Sequence, residues 1–407
     1  MTDITRRTVL QLGVAGAGLM AAAPMLAHKP ASSASANPRQ SQLLDSGWRF
    51  HLGHAADMSK DFGFGRNQRT YAKAGAMTAD AALAAFDDGD WANVQVPHDW
   101  AVTLPFAEPA APAPDKTADA VAAHGFKAIG REFPQNSVGW YRRRLDITSA
   151  DRGKRLWLEF DGVFRDSLVF VNGYIVGRSE SGYAPFRVDI GDFLDYDGGP
   201  NQLTVRVDAS LGEGWFYEGA GIYRSVKLVR AAPVHIPQWG TFVRAELRAD
   251  GALIKTSVDV NNDSAAEAQA VLRQRILSPD GAVAAKLDDV AIMLGTDERR
   301  QLDADARITA PLLWSIETPQ LYTLISELLI DGKVIDRYST PFGIRSIRFD
   351  AENGFFLNGK PVKLMGTCNH QDHAGVGTAI PDRLNAWRIE QVQSMGSNAW
   401  RSAHNPP

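Results

Sequence analysis

Hydrophobic positions along this chain recur mostly with a period of two. Leu203, Val205 and Val207 alternate with Thr204, Arg206 and Asp208. Ile254, Thr256, Val258 and Val260 alternate with Lys255, Ser257 and Asp259. Such alternation places one row of side chains on a buried sheet face and the other toward water. Turn signals join the runs. Asn172-Gly173 follows Ser-Leu-Val-Phe-Val171 and precedes Tyr174-Ile-Val, and Asp331-Gly332 stands between Leu328-Leu-Ile and Val334-Ile. Both dipeptides favour the left-handed torsions of a two-residue hairpin turn. Many short strands with regular turns predict antiparallel sandwiches, and so a mainly β fold.

The spacing predicts two sandwiches. The first covers 42–231, where tryptophans 48, 91, 100, 140, 157 and 215 and Gly-rich turns suit a large jelly-roll-like unit. The second, 232–344, has about seven candidate strands and suits an immunoglobulin-like sandwich. The Ala110-Ala-Pro-Ala-Pro114 stretch inside the first reads as a surface loop.

After Ile344 the period changes. Asn358-Gly359 turns the chain into Pro361-Val-Lys-Leu-Met-Gly366, which reads as a buried strand. A loop of about fifteen residues follows, within the range of functional loops, and carries Asn369-His370-Gln371-Asp372-His373. Asp382 is the expected N-cap of a helix with Leu384, Trp387, Val392 and Met395 near one face, closed by Gly396. Asn398-Ala-Trp-Arg401 reads as the next strand. Strand, helix, strand is the βαβ unit of parallel sheets and barrels. Residues 345–407 therefore read as the first βαβ of a (β/α)8 barrel, and barrels carry chemistry on the loops after their strands. A closed barrel needs ~250 residues. The expectation is thus an incomplete, truncated piece in which Leu364, Met365, Trp387 and Trp400 are short of neighbours.

Composition narrows the classes. A chain of 407 residues implies two or three domains. A formal net charge of −4 argues against non-specific nucleic-acid binding. Cys368 is the single cysteine, so an internal disulfide and zinc sites built from paired cysteines are excluded. Thr5-Arg6-Arg7-Thr8-Val9-Leu10 resembles a twin-arginine export motif, followed by an apolar stretch to Ala27 and a small-residue cleavage site at Ala34-Ser35-Ala36. Residues 1–36 are thus expected to be a signal peptide. The mature protein is expected to be periplasmic or secreted, with no stable membrane insertion after cleavage.

Several stretches resemble glycoside hydrolase family 2, of the bacterial β-galactosidase type. They are Val96-Pro-His-Asp-Trp100, Asn136-Ser-Val-Gly-Trp-Tyr-Arg142, Phe160-Asp-Gly-Val163, Gly219-Ala-Gly-Ile-Tyr-Arg224 and Pro319-Gln-Leu-Tyr322. Phe342-Gly-Ile-Arg345, Gly366-Thr-Cys-Asn-His-Gln-Asp-His373 and Arg401-Ser-Ala-His404-Asn-Pro extend the match. The resemblance implies a sugar-binding jelly roll, an immunoglobulin-like domain and a catalytic TIM barrel. It also implies retaining hydrolysis of terminal β-galactosides, which needs two carboxyl groups ~5–5.5 Å apart. In the family both are glutamates on later barrel strands, expected beyond Pro407. The chain alone is therefore expected to be inactive. A non-catalytic exported carbohydrate-binding or structural protein is the alternative, as is a β-glucuronidase or β-mannosidase type of member.

The resemblance places His370 and His404 against hydroxyls of the non-reducing sugar. It makes Arg401 a candidate to orient a carboxylate, and Asp372 and His373 candidates to hold a hydroxyl or support His370. Trp215 takes a slot where relatives often carry an aspartate, and its apolar face suits a pyranose ring. A metal held by His370, Asp372, His373 and His404 is disfavoured, because His-x-x-His on a loop lacks the one-face geometry of a helix. No cofactor is expected in this chain, and the resemblance leaves sodium or magnesium open for a full-length enzyme. The expected partner is a carbohydrate; the oligomeric state is not legible.

Overall fold

The computed structural model describes residues 38–65, 79–104, 136–211 and 216–406. The expected signal peptide, the Ala/Pro-rich loop and Trp215 lie outside the described residues. Among those described, strands dominate and no helix is long and apolar enough to cross a membrane.

The first sandwich pairs a six-stranded sheet with a four-stranded one. The six-stranded sheet runs, in spatial order, Ala92–Val94, Trp48–Leu52, Val138–Leu145, Asn201–Asp208, Ser167–Val171 and Tyr174–Ser179. The other runs Gln40–Leu43, Val226–Ala231, Arg155–Phe160 and Phe186–Asp189. Their facing side chains, among them Trp48, Tyr141, Phe160 and Val205, form one buried core with Trp100 from a connecting turn. The Asn172-Gly173 hairpin is present, with φ of 51° and 90° at its two turn residues.

The strict alternation of Leu203, Val205 and Val207 predicts one wet face, and here the structure differs. Thr204 and Arg206 are buried as well. On the outer face of the six-stranded sheet, Trp140 and Phe170 of the sheet pack against a second apolar layer that includes Ala81, Trp91 and Phe62. The polar residues there are satisfied internally. Arg206 pairs with Asp61 at 2.9 Å, and the fully buried Arg142 donates to Asp88 at 2.7 Å and to the Ala81 carbonyl. A buried charge needs such partners, because an unpaired one costs several kcal/mol.

The second sandwich stacks a four-stranded and a five-stranded sheet. Gly251–Asn262 is central in one, pairing with Thr241–Arg248 and Glu298–Ile308; Ala268–Leu277 is central in the other. Ile254, Thr256, Val258 and Val260 all face inward, as their spacing predicts. Arg39, before the first sandwich, reaches across to Asp336 of the second at 2.7 Å, where the carboxylate is fully buried.

Beyond Ile344, a three-stranded sheet of Ile347–Asp350, Gly354–Leu357 and Lys360–Pro361 comes first. Gly366–Asn369 then pairs in parallel with Ala399–Ser402, and the helix Asp382–Ser394 connects them. The βαβ unit is therefore present, with no closed barrel among the described residues. Two details correct the sequence reading. The first strand begins at Gly366 rather than Pro361, since the backbone turns after the short pairing of Lys360–Pro361. Pro381 occupies the N-cap position, which makes Asp382 the first helical residue, where its charge still suits the positive end of the helix. The unit has an open face: Leu364, Met365, Trp387 and Met395 are all exposed. Trp400 departs from expectation, because the Arg388 guanidinium lies over its ring at 5.3 Å and half-buries it.

Candidate functional site

Two strand ends build the site. In the parallel ladder Asn369 pairs with Ser402, so the residues that follow each strand leave the sheet side by side. His370 and His404 are the outcome: their ring centroids stand 5.2 Å apart at 56°. His404 adopts φ of 67°, a left-handed conformation that costs a non-glycine residue roughly 1–2 kcal/mol.

The first sandwich supplies a third ring. Phe216 stacks on His404 at 4.4 Å with planes 9° apart, and lies 6.0 Å from His370. An aromatic face and two imidazoles then share one corner, offering an apolar surface beside groups that can donate and accept hydrogen bonds. That combination suits a polyhydroxylated ring, whose C–H face packs on aromatics while its hydroxyls need polar partners.

The corner is held from several sides. Gln371 is buried, and its side-chain amide donates to the Tyr217 carbonyl at 2.9 Å. Arg388, on the helix, donates to the His370 carbonyl at 2.6 Å. Burial pulls the Arg388 guanidinium below its ordinary range, while the nearby Asp372 carboxylate works the other way. Arg224 of the first sandwich donates to the Pro406 carbonyl at 2.7 Å.

The other candidates separate. Arg401 faces Cys368 across the ladder, with Nη1 3.1 Å from Sγ, and its side chain is exposed. The His373 ring meets Trp387 edge-on at 6.3 Å, and its Nδ1 donates to the Ala374 carbonyl at 3.0 Å. It thus packs against the helix. Asp372 lies near Tyr217 and Arg388. Trp215 is outside the described residues; its neighbour Phe216 is the aromatic ring that meets the imidazole pair. Among the described residues, no group of three or more His, Cys, Asp or Glu is gathered closely enough to hold a metal ion. Sequence reasoning missed Phe216, Tyr217, Gln371 and Arg388. The adjacency of Gln371 to His370 was a usable signal; the others reach the site only through tertiary packing.

Known proteins resemble this chain in sequence and fold. The profile for the family 2 glycosyl hydrolase sugar binding domain matches residues 44–232, and a second profile, for glycosyl hydrolases family 2, matches 234–345. The chain is 32% identical over 387 residues to beta-galactosidase BoGH2A of Bacteroides ovatus, covering 92% of this chain and 40% of that protein. It is 31% identical over 333 residues to a beta-glucuronidase of Bacteroides fragilis, covering 78% and 44%. A solved structure of a glycosyl hydrolase family 2 member from Bacteroides cellulosilyticus superposes with a TM-score of 0.73 at 32% identity, covering 90% of this chain and 45% of that one. The chain thus spans less than half the length of these relatives. With two consecutive profiles spanning both sandwiches, this chain belongs to glycosyl hydrolases family 2.

Proposed function

We propose that these 407 residues carry the sugar-recognition part of a retaining glycosidase, and that the corner of His370, His404 and Phe216 binds the non-reducing residue of a β-galactoside. The stacked Phe216–His404 pair beside His370 carries this reading, because it joins the first sandwich to the barrel-type loops at one polar, ring-lined point. Family membership supports hydrolysis of a glycosidic bond as the chemistry of the complete site. Retention needs a proton donor facing a nucleophile. Asp372, on the loop that carries His370, lies near the Arg388 cation, and the described residues group no second acid with it. The chain by itself therefore binds without turning over.

A β-glucuronide is the second reading, favoured by the beta-glucuronidases among the relatives at about the same identity. Arg6-Arg7 and the apolar stretch after them support export from the cytoplasm. Calorimetric titration with methyl β-galactoside and methyl β-glucuronide, beside a nitrophenyl galactoside assay, tests the proposal. We expect millimolar binding of the galactoside, at least tenfold weaker binding to His404→Ala, and no nitrophenol release. Tighter glucuronide binding would select the second reading. Hydrolysis by this chain would refute the carboxylate argument.

A further inference from the structure

Asp99, in Val96-Pro-His-Asp-Trp100, has no role in the account so far, yet it is only 3% exposed. Its Oδ1 accepts the backbone N–H groups of Ala101 and Ala220, each at 3.0 Å. Its Oδ2 accepts the Tyr217 hydroxyl at 2.9 Å, the Thr378 N–H at 2.9 Å and the Thr378 hydroxyl at 3.1 Å. Three segments converge on this one carboxyl group: its own loop, the Tyr217–Ala220 turn of the first sandwich, and the loop between Gly366–Asn369 and the helix. Burial raises its pKa above the ordinary carboxylate value, and the donors offset that only in part. Every one of these neighbours donates, so the carboxylate is the form that matches them.

The surrounding space is closed. A Cβ built on Gly377 would stand 2.1 Å from Asp99 Oδ2, and one on Gly219 would stand 2.6 Å from it. Both turns therefore hug the carboxylate with no room for a side chain. Tyr217 adjoins Phe216, which stacks on His404, and the Tyr217 carbonyl receives Gln371, which adjoins His370.

We propose that Asp99 is a positioning residue for the imidazole corner: it fixes the Phe216–Tyr217 turn and the Thr378 turn in one register, and thereby sets Phe216 against His404. The carboxylate acts only through these neighbours, since its oxygens are occupied. The inference rests on the carbohydrate reading for its purpose, but its geometry is measurable without sugar.

The test is histidine-selective NMR of the full chain with no sugar present. The ring current of Phe216 displaces the His404 Hε1 signal upfield, and Phe216→Leu defines the undisplaced position. Asp99→Ala is expected to move the signal to the Phe216→Leu position. Thr378→Val, which removes one hydroxyl donor and keeps side-chain shape, is expected to move it part of the way. Near-ultraviolet circular dichroism from the buried tryptophans should stay as in the parent. If Asp99→Ala does not fold, Thr378→Val decides alone. A His404 signal unmoved in the folded variants overturns the proposal. Adding methyl β-galactoside to the parent chain afterwards reads the carbohydrate proposal separately: absent sugar-induced shifts would sink that reading and leave the positioning role standing.

Discussion

At the residue scale, His98 gives the clearest consequence of burial. Its ring packs among Phe50 and Tyr141, and burial lowers its pKa to about 4. The Tyr141 hydroxyl, whose own pKa burial pushes up, shares a hydrogen bond with Nδ1 at 2.8 Å. The unfolded ring titrates near 6.5. Between these values the unfolded chain binds more protons, so stability rises with pH. The contribution is fully present above about 6.5 and is lost as pH falls through the folded value. Over the whole window it is at most on the order of 3 kcal/mol. Thermal melts from pH 7 down to 4 should show this loss, and His98→Phe, which keeps a ring but cannot titrate, should flatten it. An equal slope in both proteins would count against the assignment. His370 and His404 were legible at this scale because their neighbours form a family pattern. Phe216 was not, because nothing near it in the chain signals that it meets a ring nearly half the chain away.

At the element scale, hairpins were the most legible features. Asn172-Gly173 and Asp331-Gly332 name their own turn type, and both form with positive φ throughout. The strand before the His/Asp loop was misplaced, since a short apolar run such as Val362-Lys-Leu-Met fits either a buried strand or an open-faced connection. Only the absence of covering neighbours decides between them. Two glycines with similar torsions separate backbone cost from packing cost. Gly332 has φ of 73° and open space where a Cβ would stand, while Gly219 has φ of 72° and would place a Cβ 2.3 Å from Thr378 Oγ1. Gly332→Ala should therefore cost about 1–2 kcal/mol of backbone strain and leave the His404 resonance in place. Gly219→Ala should cost more and displace that resonance. Denaturant melts with the NMR readout check both, and equal costs would mean the Asp99 turn is looser than described.

At the scale of the whole molecule, the two sandwiches were legible from alternation, and their order from the family pattern. The buried outer face of the six-stranded sheet was not, because the layer that covers it comes from irregular chain with no period to read. Nor was the docking of the βαβ unit on the first sandwich, through Asp99–Thr378, Tyr217–Gln371 and Arg224–Pro406. Contacts of this kind join residues far apart in the chain, and no local propensity encodes them. They hold the two loop histidines against Phe216, at the corner proposed to bind sugar.

The most direct test of that site is a titration of the histidine-labelled chain with methyl β-galactoside, following the His370 and His404 ring signals together. Saturable shifts are expected at both rings with one shared dissociation constant, with small shifts at His51 and His54, which make no ring contact with the corner, and no sugar cleavage over hours. Unmoved His370 and His404 signals at tens of millimolar sugar, or shifts spread evenly over all histidines, would contradict the account.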